Sequence, residues 1–381
     1  MRKLPQWADV VLVPLISLLL AAIVAAIVLL AIGQSPSAAL GIMVKGAFGS
    51  ANGWGYTLYY TTSFIFTGLS VIVAFHAGLF NIGGEGQAQL GGLGVALVCL
   101  ALPWPHWTVA LLAATLGAAL FGAAWAAVPA YLQAKRGSHI VITTIMFNYI
   151  ASALIVYMLV DVLRPAGQMD PASARFPAGA KLPALSDMPL ISQFFAKMNP
   201  DGTPKLTKAG LQMYSNVPAN VTLFIALAAC VAVWLLLWRT RLGYQIRAFG
   251  KSEAASKYAG INPVKITMIA MLISGGLAGM MAINNVMGSA ERLLQNSAEG
   301  AGFIGIAVAL MGRNHPLGVL LAALLFGFLY QGGAALGLNT TIPIEMRIVV
   351  QGLVILFTGA LDQMVRMLLV WVFSFGRKAV A

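Results

Sequence analysis

Apolar residues occur along this chain in long unbroken stretches parted by short polar breaks, with no two-residue alternation. Spanning a hydrocarbon core of ~30 Å takes roughly 20 apolar residues of helix. Stretches of about that order cover residues 10–32, 57–77, 86–102, 107–133, 139–163, 219–238, 265–288, 317–338 and 345–361, and a shorter one covers 299–312. A closed barrel would need short strands of alternating polarity, which these are not. The pattern predicts an all-α polytopic membrane protein of about ten transmembrane helices, with residues 1–381 forming one membrane domain.

Composition agrees, with 60% hydrophobic residues, 9% charged residues and a mean hydropathy of +0.86, too apolar and too charge-poor for a soluble domain. The formal charge of +12 would point to a nucleic-acid partner in a soluble protein; here topology explains it. If Met1 is cytoplasmic and each stretch crosses once, both termini lie inside, and 14 of the 23 basic residues fall in cytoplasmic segments. Six of the other nine sit in the long segment 164–218, which the positive-inside rule largely ignores. The expected location is a prokaryotic cell (inner) membrane. Length and the absence of a small-residue cleavage site make the first stretch a retained anchor rather than a signal peptide. Cys99 and Cys230 lie inside apolar stretches and predict neither disulfide nor metal site.

Segment 164–218 holds eight of the 17 prolines and is expected to be an irregular external loop of the kind that presents docking surfaces. Segment 239–264 is the most informative internal loop. Ser252 is placed to cap a short helix running to Ala259, Gly260 to supply its left-handed end, and Pro263 to stop it. Small residues on that helix, with Arg247, Lys251 and Lys257 around it, suit a partner's cleft as well as they suit an ordinary positive-inside loop. The GKS at 250–252 lacks the upstream glycine of a phosphate loop, Gln245 standing there instead, so ATP hydrolysis is not expected on this chain.

Candidate chemistry is sparse. Residues 80–92 read FNIGGEGQAQLGG, with Glu85 set among glycines and amides between apolar stretches. A charge at membrane depth is costly and faces a cavity or a partner; the alternative is a first-turn glutamate at the interface, stabilised by free backbone N–H groups. Residues 85–91, EGQAQLG, and 299–305, EGAGFIG, share E-G-x-x-x-[L/I]-G, opening the third and eighth of ten segments. Those segments run in opposite directions, as an inverted repeat of five plus five requires. Asn81, Glu85, Gln87, Gln89, Glu299 and Phe303 are therefore candidate pathway residues. Thr144 and Asn148, one turn apart with Phe147 beside them and Ser152 a turn further, add a polar face on the fifth segment. Asn284, Asn285, Gln331 and Gln351 mark later segments. Such groups serve as interhelical hydrogen-bond glue as often as pathway lining. Gly275 and Gly279, in GxxxG spacing, predict close helix packing.

Three blocks carry a family resemblance: FNIGGEGQ at 80–87, the internal loop around Arg247, Ala248, Gly250, Ala254, Ala255, Gly260 and Ile261, and GFIGIAVALMGRNHPLG at 302–318. Over about residues 60–360 the chain resembles the permease subunits of bacterial ABC importers in the class serving branched-chain amino acids, simple sugars and nucleosides. The first block is similar to the nucleoside form, where the sugar branch carries a GGIDLS-type sequence. The resemblance implies a non-enzymatic permease working with an ATP-binding subunit, a second permease, distinct or identical, and an external substrate-binding protein. ATP and Mg would be used by the partner ATPase, with no cofactor on this chain. It also implies that Arg247, Gly250, Ser252, Glu253, Ala254, Ala255, Gly260 and Ile261 form the ATPase-coupling surface of loop 239–264. Alternatives are a simple-sugar permease of the same class, an ion-coupled secondary transporter with Glu85 or Glu299 titrating, and a channel or structural membrane protein.

Overall fold

The computed structural model describes residues 12–31, 33–189, 191–197, 205–206 and 212–339, with isolated positions between 348 and 370. Among them are isolated bridges but no strand. In chain order the helices are α1 (Val13–Ala31), α2 (Pro36–Phe48), α3 (Ala51–His76), α4 (Gly84–Ala101), α5 (Trp107–Arg136) and α6 (Ile140–Tyr157). Then come α7 (Thr222–Arg239), α8 (Arg241–Lys251), α9 (Glu253–Tyr258), α10 (Pro263–Ala282), α11 (Ala301–Met311) and α12 (Pro316–Asn339).

Seven of the expected segments coincide with helices long and apolar enough to cross a membrane, counting the π-helical extensions that follow α6 and α10. The segments at 86–102 and 299–312 are helices that fall short of that, α4 in hydropathy and α11 in length. The expected segment 345–361, with Gln351, lies largely outside the described residues. Two helices were not anticipated. α2 has only 13 residues with Lys45 in its last turn, too short for a spanning window. The stretch 241–251, expected as loop, is the amphipathic helix α8, which buries Gly243, Ile246 and Phe249 at three-residue spacing. Thr240 makes that corner: its hydroxyl accepts from the Gly243 N–H (3.0 Å) and donates to the Leu236 carbonyl (2.6 Å).

The chain divides into two compact units, Ala51–Gly327 and a second one drawn from Met1–Ser50 and Phe328–Ala381. In the second, Phe48 stacks on Phe328 at 5.3 Å and Gln331 donates to the Gly46 carbonyl. In the first, α4 is the central element, buried all round from Gly84 to Ala96, so its glycines and glutamines face protein on every side. Three helices meet backbone to backbone: a Cβ at Gly91 would overlap Gly279, one at Gly94 would meet the Gly117 carbonyl at 2.5 Å, and one at Gly122 would overlap the Gly275 carbonyl. The expected GxxxG packing is thus what fastens α4, α5 and α10 together. Gly279→Val is expected to destabilise the protein by about 1–3 kcal/mol through overpacking. A thermal unfolding midpoint in detergent equal to that of the unsubstituted chain would show that the interface yields.

Segment 164–218, where described, consists of short 3-10 turns and bridges rather than a long helix. It packs Leu185, Phe195 and Val217 on Tyr59 of α3 and donates the Leu185 N–H to the Ala219 carbonyl (2.8 Å).

Candidate functional site

After α3 the chain turns through Gly78 and re-enters helix only at Gly84. Buried amides hold this break. Asn81 accepts the Gly83 N–H (2.9 Å) and exchanges a reciprocal pair with Gln87, Nδ2 to Oε1 at 2.9 Å and Nε2 to Oδ1 at 3.1 Å. Its Nδ2 also donates to Ser274 of α10 (2.8 Å), whose hydroxyl donates to the Ser70 carbonyl of α3 (2.8 Å). From α6, Asn148 donates to the Ile82 carbonyl (3.0 Å) and accepts the Gly86 N–H (2.9 Å), so one side chain ties the break to the first turn of α4. Each amide has its donors and acceptors engaged, the condition for burying polar groups.

Glu85, 6% exposed, lies in the first turn of α4 but does not turn back on its own helix. Oε1 accepts the Gly300 N–H and Oε2 the Gly302 N–H, both at 2.9 Å, at the start of α11. The two helix N-termini face each other here, and a Cβ at Gly302 would overlap the Glu85 backbone nitrogen. Two ends carrying partial positive charge repel, and one carboxylate between them offsets both. With 11 residues, α11 is about 16 Å long at 1.5 Å per residue, roughly half the ~30 Å hydrocarbon core.

The remaining candidates divide. Thr144 is buried and bonds its own helix at the Ile140 carbonyl (2.8 Å); Gln89 accepts from Ser152 of α6 (3.0 Å). Asn81, Gln87, Gln89, Thr144 and Asn148 are thus gathered where the break and α4 meet α6, whereas Glu85 faces α11. Phe147 instead packs on Trp125 of α5, ring centroids 5.2 Å apart, and Phe303 is 48% exposed on α11. Glu299 is exposed, in left-handed backbone (φ 51°) ahead of α11, whereas Glu85 is already helical. The shared E-G motif therefore occupies different places relative to its two helices.

A second buried network was only partly foreseen. α10 widens into a π-helical turn over Ile283–Ala290, where Asn284 donates to the Tyr59 carbonyl and to Ser63 (2.9 Å each). Asn285 accepts from Ser63 (2.9 Å) and donates to the Ser297 carbonyl (2.9 Å), which ties the segment leading into α11 to α3. π-Turns of this kind recur at functional sites. The asparagines stood out in the sequence; Ser63, Ser70 and Ser274 did not, because a lone serine in an apolar helix carries no pattern. Among the described residues no group of His, Cys, Asp or Glu could hold a metal ion.

At the end of the unit where α8 and α9 lie, Ser252 caps α9, its hydroxyl accepting the Ala255 N–H (3.3 Å). The C-terminal end is a Schellman turn: Gly260 (φ 79°) takes the left-handed position, and the Ile261 N–H reaches the Ser256 carbonyl (2.9 Å). α9 thus ends at Tyr258 through this turn, and Pro263, expected to stop it, is instead the first residue of α10, capped by Asn262. Ala254, Ala255 and the Glu253–Lys257 ion pair (2.8 Å) are exposed, while Ser256 and Ile261 are buried. Arg247 is half-buried, its guanidinium 6.0 Å from the Trp238 ring. Gly250, at the end of α8, lies on the α3–α4 turn: a Cβ there would overlap the His76 carbonyl and meet the Gly78 nitrogen at 2.8 Å. The elbow of α8 and α9 thus touches the turn that leads to Asn81 and Glu85.

Residues 54–359 match the family described as the permease component of the branched-chain amino acid transport system. The chain belongs to this permease family. The matched span contains the whole Glu85 junction and the α8–α9 elbow. The permease is 32% identical over 350 residues to the guanosine ABC transporter permease protein NupP of Bacillus subtilis, covering 92% of this chain and 93% of that protein. It is 34% identical over 349 residues to the nucleoside ABC transporter permease protein NupB of Lactococcus lactis, covering 91% and 90%. The glucose ABC transporter permease protein TsgB13 of Haloferax volcanii is 32% identical over 357 residues, covering 93% and 88%. These relatives are permease subunits of membrane transporters, and the permease, with its seven long apolar helices, is a membrane protein.

Proposed function

We propose that this permease forms the translocation pathway of an ATP-driven importer for nucleosides, in which a partner ATPase pushes on α9 and moves the Glu85 junction. The observation that carries the coupling is the backbone contact of Gly250 with the α3–α4 turn, which leaves no compressible side chain between elbow and break. The substrate class rests on the guanosine and nucleoside relatives; the glucose relative keeps a simple sugar as second reading. Both solutes are uncharged, so Glu85 shapes the junction rather than pairing with cargo. An ion-coupled transporter is less well supported, because a proton on Glu85 would displace one of two N–H donors already bound.

The permease works as ten crossings, both termini cytoplasmic, in two inverted halves whose short members are α4 and α11. It pairs with a second permease, distinct or identical, with an ATP-binding subunit that uses ATP and Mg, and with an external substrate-binding protein. The GKS at 250–252 spans the α8–α9 elbow and lacks the glycine a phosphate loop requires, so the purified chain is expected to hydrolyse no ATP. Sustained hydrolysis by a preparation free of other subunits would contradict this. The decisive experiment is ATP-dependent uptake of tritiated guanosine and of glucose, in parallel, by vesicles holding the complete complex. Guanosine uptake alone is expected; glucose uptake alone would install the second reading.

A further inference from the structure

The unit Ala51–Gly327 contains a cavity of about 540 Å³ at the end opposite the α8–α9 elbow, within the ~300–1,000 Å³ of small-molecule sites. It opens between the first turns of α3 and α5, the external segment and the end of the π-helical turn. Its walls carry two aromatic rings, Tyr56 and Trp107, and the amide of Asn216. None of the three side chains makes a hydrogen bond within the described residues, so a phenol, an indole N–H and an amide remain free to serve a guest. The charged groups are already engaged: Lys181 pairs with Glu291 at 2.8 Å, and Asp187 accepts the Ala184 N–H at 3.1 Å. A net ionic guest would have to disturb that pair. Flat rings beside free donors and acceptors suit an uncharged solute with an aromatic face and several polar edges.

We infer that this cavity is an external substrate site of the permease, taking a nucleoside between Tyr56, Trp107 and Asn216 before it enters the membrane. The inference rests on the nucleoside reading proposed above and adds a site to it. Aromatic faces recognise bases by stacking, and the amide and hydroxyls recognise base and ribose edges. One wall of the site is itself part of the moving apparatus. Gly288 and Ser289 close the π-helical turn, and from Glu291 the chain runs along the external segment to Gly300. The Phe176 N–H donates to the Glu291 carbonyl (2.9 Å) and the Ser173 N–H to the Leu293 carbonyl (3.0 Å). Occupancy of the site therefore bears on the segment whose far end is held by Glu85.

The test is equilibrium binding of tritiated guanosine to the complete complex in lipid nanodiscs, without the external binding protein, beside guanosine and glucose uptake by the same complex in vesicles. Saturable guanosine binding is expected, weakened about tenfold by Tyr56→Leu, the loss of one stacked face at ~1–3 kcal/mol. Asn216→Ala, at an exposed position, is expected to weaken it severalfold. Guanosine uptake without saturable binding, or with binding untouched by both substitutions, would overturn the site and leave the nucleoside reading standing. Uptake of glucose without guanosine would overturn both.

Discussion

Replacing Glu85 by leucine is expected to abolish most uptake, because it leaves the Gly300 and Gly302 N–H groups without their acceptor between two facing helix ends. An orphaned buried donor costs about 1–3 kcal/mol, so the pair costs about 2–6 kcal/mol. At 1.4 kcal/mol per tenfold, a loss of roughly 30-fold or more follows. Glu85→Gln keeps one acceptor but turns its NH2 toward the other N–H, so it should lose roughly tenfold and rank between the two. Glu299→Leu should be milder than Glu85→Leu, since Glu299 is exposed and outside the helix. Initial uptake rates in vesicles, normalised to permease content, check the order. A leucine variant retaining half the rate would mean that the junction tolerates bare N–H groups.

The proposed coupling surface carries the second large effect. Ala255 is exposed on α9 while Ser256 beside it is buried, so Ala255→Arg adds bulk and charge outward without touching the core. If a partner ATPase seats against α9, the arginine should remove it and reduce uptake to background while the permease still folds. Co-purification of the ATP-binding subunit and the unfolding midpoint are the paired measurements. Retained co-purification with normal uptake would place the ATPase contact elsewhere. Gly260→Trp should act in the same direction, with an added strain from its φ of 79°.

The helical membrane architecture was legible because apolar stretches of spanning length carry their own signal. So were the Ser252 cap, the Gly260 turn and the Gly275–Gly279 packing, each of which depends on residues close in sequence. The partner of Glu85 was not. Its acceptor role is completed 215 residues away by backbone N–H groups, which no side-chain pattern records. The sequence placed Glu85 and Glu299 as matching helix-start residues; the pairing observed is Glu85 with the backbone beside Glu299. α8 was missed because a short amphipathic helix with four polar or basic residues among eleven resembles a loop when only long apolar windows are weighed. The cavity beside Trp107 was illegible for the opposite reason: its residues come from five distant segments, and only folding assembles them.

Contact of bare backbones at Gly91, Gly94, Gly117, Gly122, Gly275 and Gly279 has a mechanical consequence. Helices separated by flexible side chains can slide by exchanging rotamers, whereas helices in direct main-chain contact have nothing to exchange. α4, α5 and α10 must then travel as one stiff plate during transport. Any change of access has to be absorbed at its margins, as at the wide turn after Ala282, much as a door moves at its hinges and not within its panel.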